Sequence, residues 1–412
     1  MKLTFKFNPK LNEEQLNIIE ELSFHTTKLY NIANYDNREI KAQSYYDMNN
    51  KHADNYHKQF LHSHTYQHCL KVLEKNWKSY FASIKDYKEN PSKYKGLPKP
   101  PKFKNHNNKK NEIIFTNLAV RVKENTLMLS LSKAMKEKFK VQSLNFRLSS
   151  KIPYDFSNIN QVKIRWNNNN KTWELLIVYT REETSLVKGN NVMSIDLGLD
   201  NLATITFRDN VDCYIINGKI IKSKNSYYNK EIARLTSIKM KQDKDSKHFK
   251  RSKRLVRLQT KRNNYINDYI HKASKKIVAL ALINNCNTIV IGDFSGVKQN
   301  NQAKSFVQIP QQYLVEKIKY KAKLVGLKVI MQEESYTSGC SSLDEEPINK
   351  KYYDKTRRIQ RGLFVSNNGI LINADQNGSI NIIRKYSQCS PRMLKNMRDN
   401  GFVDNPIRLN VA

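Results

Sequence analysis

The spacing of apolar residues changes several times along this chain, and each change predicts a different kind of element. Met1-Lys-Leu-Thr-Phe-Lys-Phe alternates apolar and polar positions, so residues 1–10 are predicted to hold a strand. The spacing then lengthens to three and four. Leu16, Ile19, Leu22, Leu29 and Ala33 fall roughly on one face of a helix. Asn12 stands three residues before Gln15, a pair able to cap the helix start reciprocally. Leu70, Leu73, Trp77, Phe81 and Ile84 predict a second helix by the same spacing. Residues 36–65 between them are polar. His52, His57, His62 and His64 lie there at spacings that would suit a metal, but no acid or Cys completes a set, and they are read as exposed helix and loop residues. Prolines from Pro91 to Pro101 then break regular structure. Residues 96–104 form a stiff basic strap, either a linker or a phosphate-contacting loop carrying Lys102 and Lys104.

From 111 to 183 the period falls to two. Residues 113–115, 119–122, 127–131, 162–166 and 173–179 read as short strands, which together predict a small β-barrel. With strand 1–10 it would form one domain, into which the helices of 11–105 are inserted. After a polar linker near 184–190, strands are predicted at 192–197, 202–207 and 213–221. Asn217-Gly218 in the third is a hairpin signal. A long helical region, 226–285, carries a stripe of Leu255, Leu258, Tyr265 and Tyr269. Strand 288–291, helix 312–325, strand 328–332, an insertion and helix 374–386 follow. This order is that of a ribonuclease-H-like fold, a mixed sheet flanked by helices. In it the first strand is central, the fourth lies beside it and the fifth beside the fourth.

That order gives meaning to three acidic places. Asp196 ends an apolar strand, where an uncompensated charge is costly. Met331-Gln-Glu-Glu334 ends another strand, and Ile372-Asn-Ala-Asp375 opens a helix. Neighbouring strands lie about 4.8 Å apart, so carboxylates at their ends can share metal ions. Two Mg²⁺ about 4 Å apart would stabilise both the attacking water and the leaving oxygen of a phosphodiester. Magnesium suits all-oxygen ligands, without His or Cys.

Charge points to the substrate. The 412 residues include 72 Lys plus Arg against 37 Asp plus Glu, a formal net charge of +35. Such an excess implies a polyanionic partner. Between 222 and 276 there are 18 Lys or Arg against four acids, and Arg251, Lys253, Arg254, Arg257 and Arg262 crowd one stretch predicted to bind nucleic-acid backbone. No apolar run approaches the roughly 18 residues needed to span a bilayer, and the N-terminus lacks the apolar core of a signal peptide. The expectation is therefore a cytoplasmic, nucleoid-associated protein whose polyanion is nucleic acid and not membrane. Five scattered Cys without a Cys-x-x-Cys pair argue against a disulfide framework and a zinc ribbon.

Several blocks resemble the TnpB family of transposon-encoded RNA-guided nucleases, relatives of type V CRISPR effectors and of Fanzor proteins. Ser194-Ile-Asp-Leu-Gly-Leu199 resembles the first RuvC motif and Ile289-Val-Ile-Gly-Asp-Phe294 the second. Asn373-Ala-Asp-Gln-Asn-Gly378 with Asn381-Ile resembles the third. Glu334-Ser-Tyr-Thr-Ser338 resembles the approach to the family's zinc ribbon, and Lys102-Phe-Lys104 a block between its helical and barrel parts. The resemblance implies an α/β plus β-barrel chain of bilobed shape. Residues 1–10 and 106–185 would be a wedge-like β-barrel and 11–105 a helical recognition insert. Residues 186–334 and 371–386 would be the RuvC-like nuclease, 335–370 an insertion replacing the zinc ribbon, and 387–412 a tail. It implies a guide RNA from the transposon end, and a double-stranded DNA target with a short adjacent motif.

Two departures matter. The family usually has Glu where this chain has Gly292, and some members place it just before Tyr-Thr-Ser, where Glu334 stands. The catalytic, Mg²⁺-holding acids implied are thus Asp196, Glu334 and Asp375. Glu333 is the runner-up, since alternation sends the two glutamates in opposite directions. The paired Cys of the ribbon are missing, and Asn368-Gly369 predicts a metal-free hairpin without structural zinc. Besides an endonuclease, the residues admit a nuclease-inactive RNA-guided repressor, a strand-transfer transposase, or a basic RNA-binding protein with ordinary buried acids.

Overall fold

A computed structural model describes residues 1–39, 42–148, 158–242, 251–293, 310–360, 362–400 and 406–411. The chain divides into two compact units, Met1–Glu182 and Glu183–Ala412.

In the first unit, β1 (Lys2–Phe7) leads into α1 (Glu13–Glu39), then α2 (Tyr45–Lys51) and α3 (Ser63–Glu89). The start of α1 is capped as its sequence predicts. The Asn12 amide donates to Gln15 Oε1 at 3.0 Å, and the Gln15 amide to Asn12 Oδ1 at 2.7 Å. The apolar stripe of α3 is buried through Leu70, Leu73 and Trp77, but Phe81 is exposed, so the stripe runs out a turn earlier than expected. His52 is not an exposed loop residue. It is buried, with Nε2 3.3 Å from Asp36 Oδ2.

The strands that follow are β2 (Ile113–Thr116), β3 (Val120–Lys123), β4 (Thr126–Ser130), β5 (Ser143–Arg147), β6 (Asn158–Asn167) and β7 (Thr172–Thr180). Among the described residues they do not close into the expected barrel. They form two sheets, of order β1-β7-β6-β2 and β3-β4-β5. β4 is paired antiparallel on both edges, by β3 and by β5. The meander's central strand thus has its backbone groups paired on both sides. The meander packs on the other sheet through Leu127, Leu129, Leu144 and Phe146, which share one core with Leu175, Ile177 and α1. A short helix, α4 (Lys133–Phe139), interrupts the region read as all strand. Its N-cap Ser132 accepts from the Met135 amide.

The second unit contains β8 (Asn191–Asp196), β9 (Asn201–Phe207), β10 (Tyr214–Asn217), α5 (Lys219–Gln242), α6 (Lys253–Ile283) and β11 (Cys286–Asp293). After them come α7 (Gln311–Leu324), β12 (Lys328–Glu333), β13 (Leu363–Val365), β14 (Leu371–Asn373), α8 (Ala374–Tyr386), α9 (Pro391–Asn400) and β15 (Ile407–Leu409). The six-stranded sheet has the order β12-β11-β8-β9-β10-β15. Its first strand is central, β11 lies beside it in parallel and β12 beside β11, as the element order predicts. α6 and α7 cover one face through Ile270, Ile277, Leu314 and Ile318. α8 covers the other, where Ile382 meets Val192 and Val290, and Ser379 meets Ser194 and Thr206 hydroxyls at 2.8 and 3.0 Å.

One expectation here is corrected. The third strand does not fold back at Asn217-Gly218. It ends there, and α5 begins at Lys219. Gly218 makes the junction possible, because a Cβ on it would lie 2.2 Å from the Leu199 carbonyl oxygen. The long helical region expected at 226–285 holds two helices, α5 and α6. Asn368-Gly369 does turn a hairpin, β13 pairing antiparallel with β14 and Gly369 adopting φ +75°. Among the described residues no helix is long and apolar enough to cross a membrane.

Candidate active site

Three elements bring acids towards one end of the central strand. Asp196 is the last residue of β8. Gly378 of α8 faces it, and a Cβ there would stand only 3.0 Å from Asp196 Oδ2, so glycine lets the helix approach the carboxylate. Asp375 lies in the first turn of α8. Asn373 caps that turn, its Oδ1 accepting from the Asp375 and Gln376 amides at 3.1 and 3.2 Å. Asn201 Nδ2 donates to Asp375 Oδ2 at 2.7 Å, and the Arg358 guanidinium donates to Asp375 Oδ1 at 3.3 Å.

The two glutamates at the end of β12 part company. Strand β12 runs parallel to β11, with Gly292 opposite Gln332 and Asp293 opposite Glu333. Glu333 turns outward. It meets Lys385 Nζ at 2.7 Å and accepts from the Ser335 amide at 2.7 Å, and these bonds hold its carboxyl down at about 2. Glu334 turns inward. A Cβ on Gly292 would lie 1.7 Å from Glu334 Oε1, so this carboxyl fills the space a side chain at 292 would occupy.

The electrostatics are those of crowded acids. Burial, then the charges of Glu334 and Asp375, push Asp196 well above the usual carboxylate range, while Arg358 opposes them. Burial, with Asp293 and Glu333 nearby, pushes Glu334 up to about 7. Glu334 Oε1 is buried without a hydrogen-bond partner among the described residues. Such an atom is expensive to leave unsatisfied. All-oxygen donors with one uncommitted buried carboxylate oxygen suit a hard divalent cation. As they stand, no three His, Cys, Asp or Glu side chains among the described residues are gathered tightly enough to hold a metal. Arg358 neutralises Asp375 meanwhile.

The insertion is cross-linked by an ionic fork. Arg357 reaches Glu346 Oε1 at 2.7 Å and Asp344 Oδ2 at 2.9 Å, donates to the Val365 carbonyl at 3.0 Å, and lies over the Phe364 ring. Asn377 and Asn381 of α8 each donate to the Cys340 carbonyl at 2.8 Å and so tie the segment after Glu334 to the helix bearing Asp375.

A cleft of about 520 Å³ opens beside Asp375, lined by Asn201, Lys219, Arg358 and Arg408 among others. Sequence reasoning missed all four. Arg358 sits in an insertion without periodicity, and Arg408 comes from the tail, so only folding brings them here.

The predicted backbone-binding residues divide by burial. Lys253, Arg254 and Arg257 are exposed on α6. Arg251 is exposed, but donates to Gln259 Oε1 at 2.8 Å. Arg262 joins helices instead. Its Nε donates to Asn225 Oδ1 of α5 at 2.8 Å and its guanidinium lies over Tyr228. In the first unit Lys102 is exposed, whereas Lys104 stacks over the Tyr30 ring, 4.0 Å from its centroid, with its backbone held by Asn31.

Two family models match the second unit and its approach. The transposase family OrfB_IS605, described as a probable transposase, matches residues 176–298. The Cas12f1-like TNB domain matches 312–382. The chain is similar to TnpB-like and Cas12f proteins. It is 30% identical over 217 residues to the CRISPR-associated endodeoxyribonuclease Cas12f1 of Sulfoacidibacillus thermotolerans, a match covering 51% of this chain and 49% of that protein. The chain thus spans about half the length of that relative. It is 25% identical over 420 residues to the TnpB-like protein ORF457 of Acidianus two-tailed virus, covering 90% and 83% of the two chains. A cryo-EM structure of a Cas12f1–sgRNA–target DNA complex shares the fold, at 14% identity and a TM-score of 0.57 over 90% of this chain and 83% of that one. The transposase model spans Asp196 and Gly292. The TNB model spans Glu334, Arg358 and Asp375.

Proposed function

We propose that this chain is an RNA-guided DNA endonuclease of a transposable element, with Asp196, Glu334 and Asp375 holding Mg²⁺ at a RuvC-type site. The observation that carries the reading is the position of Glu334, whose carboxyl stands over Gly292 while Glu333 is turned away to Lys385. The relatives' names supply the substrate class. A guide RNA from the element would pair with target DNA, and the first unit would read a short motif beside the target. Base pairing then carries sequence specificity, and the protein reads backbone and heteroduplex shape.

Bound to these acids, Mg²⁺ would act as a Lewis acid and lower the pKa of a water molecule. The chain's own residues set the conditions. Asn201 orients Asp375, and Lys385 keeps Glu333 out of the cleft. Glu334 holds a proton up to about pH 7 in the free protein and must release it to accept a cation, so metal affinity should rise with pH. Arg358 neutralises Asp375 and is placed to turn to an incoming phosphate.

The test is to express the protein with its native flanking DNA, sequence the co-purifying RNA, and assay the complex on matched target DNA. Mg²⁺-dependent cleavage is expected, lost in Glu334→Ala and in Asp196→Ala with target binding kept. Cleavage by Glu334→Ala alongside loss in Glu333→Ala or Asp293→Ala would overturn the site. Tight binding without cleavage by the wild type would establish the repressor.

A further inference from the structure

The cleft beside Asp375 has a wall that none of the nuclease motifs supplies. β15 pairs in parallel with β10, placing Ile407, Arg408 and Leu409 opposite Tyr214, Ile215 and Ile216. The strand is held by this backbone pairing, by Leu409 packing on the sheet core and by buried Val411. The Arg408 side chain takes no part in that anchoring. It is exposed and lines the cleft together with Lys219, the first residue of α5. Neither side chain makes an ion pair or hydrogen bond among the described residues, whereas Arg358 on the same cleft is committed to Asp375.

Uncommitted cations are poor neighbours for a site that gathers Mg²⁺, because they repel it. They suit a ligand that is itself anionic along its length. A DNA strand presented to the acids carries one charge at the reacting phosphodiester and more on either side. The flanking phosphates need cations that the acids cannot supply. An Arg guanidinium can grip a phosphate with two parallel hydrogen bonds, and a Lys ammonium acts as a point charge. We infer that Arg408, delivered by the C-terminal strand, and Lys219 bind backbone phosphates of the DNA strand entering the Asp375 cleft. The inference rests on the nuclease reading for the identity of the strand. It assigns the tail a part in substrate binding, so the C-terminal residues close the substrate path as well as the sheet.

The test uses the full chain with its RNA, in chelator, binding a fluorescent single-stranded oligodeoxynucleotide across a range of salt. Each phosphate contact removed should lower the slope of log affinity against log salt by about 0.7. Arg408→Gln and Lys219→Gln should each do so without moving the thermal midpoint, and Arg408→Lys should keep the slope. In single-turnover cleavage, the Gln variants should raise the half-saturating DNA concentration more than they lower the maximal rate. Unchanged slopes in both Gln variants, at unchanged thermal midpoints, would overturn the inference. If Arg408→Gln also lowers the midpoint, the slope retained by Arg408→Lys decides, since a charge role survives that change and a shape role does not. Failure of the wild type to cleave would sink the nuclease reading alone, because the binding slopes need neither metal nor chemistry.

Discussion

Gly292 and Glu334 compete for one volume, which makes the glycine as telling as the acid. Adding a methyl at 292 would set it 1.7 Å from Glu334 Oε1, so the carboxyl would have to leave. Displacing a reacting group by about 1 Å can lower a rate roughly 10²-fold. Gly292→Ala should therefore reduce cleavage at least that far, with target binding and thermal midpoint close to wild type. The Gly292→Ala, Glu334→Ala double variant should be no worse than Glu334→Ala, because both act on one group. Independent, multiplying losses would refute the shared volume. Acidity gives a second prediction at this scale. Glu334 holds its proton up to about 7 in the fold, against 4.5 ordinarily. Between these values the native state binds more protons than the unfolded state, so stability falls as pH rises from 4.5 to 7 and stays lowered above. In chelator without nucleic acid, Glu334→Gln should be more stable than wild type at pH 8, on the order of 1–3 kcal/mol, and equal to it at pH 4. Urea midpoints at the two pH values check this, and a gain of equal size at both would refute it.

At the scale of elements, the insertion between β12 and α8 is cross-linked by side-chain ion pairs. Arg357, Asp344 and Glu346 are mostly buried, with side chains 13, 9 and 10% exposed. Removing the guanidinium would leave two carboxylates facing each other out of water. Breaking a buried pair in this way costs about 3–5 kcal/mol. Arg357→Met should therefore abolish amide hydrogen-exchange protection across 340–367 and leave that of α6 unchanged. Chelator should not alter protection of the wild type. Loss of protection in chelator would mean that a metal, and not the fork, holds the segment. Element boundaries carry a second lesson. The break at Gly218 follows from a close approach to Leu199, a residue distant in any helical or strand period.

Over the whole molecule, the net charge of +35 is spread over both units, and burial decides which cations are available. Lys253, Arg254 and Arg257 stand exposed, while Arg262 is spent on bridging α5 and α6. Replacing the three exposed residues by Ala should flatten the salt dependence of RNA binding by about two to three units, or roughly 0.7–0.9 per contact. Arg262→Ala should lower the thermal midpoint more than it changes that slope. A slope unchanged in the triple variant would return α6 to a merely solvated face. Equal slope losses in the triple and in Arg262→Ala would show that burial does not sort these cations.

The apolar runs of β8, β11 and β12 and the three-and-four spacing of α1 and α3 were legible directly, because each reports surface that must be buried. The order of those elements then determined the central position of β8, since parallel crossovers leave few other ways to build the sheet. Local chemistry also sufficed for the Asn12–Gln15 cap and the Gly369 turn. Closure did not follow from alternation in the first unit, where among the described residues β4 is paired on both edges and the strands form two separate sheets. Nor did the cleft. Asn201, Lys219, Arg358 and Arg408 come from four separate segments, and no period or spacing links them. The choice between Glu333 and Glu334 lies between these cases. Alternation requires that one face inward, but which one depends on Lys385 from α8 and on the empty space over Gly292, and both are properties of the packed molecule.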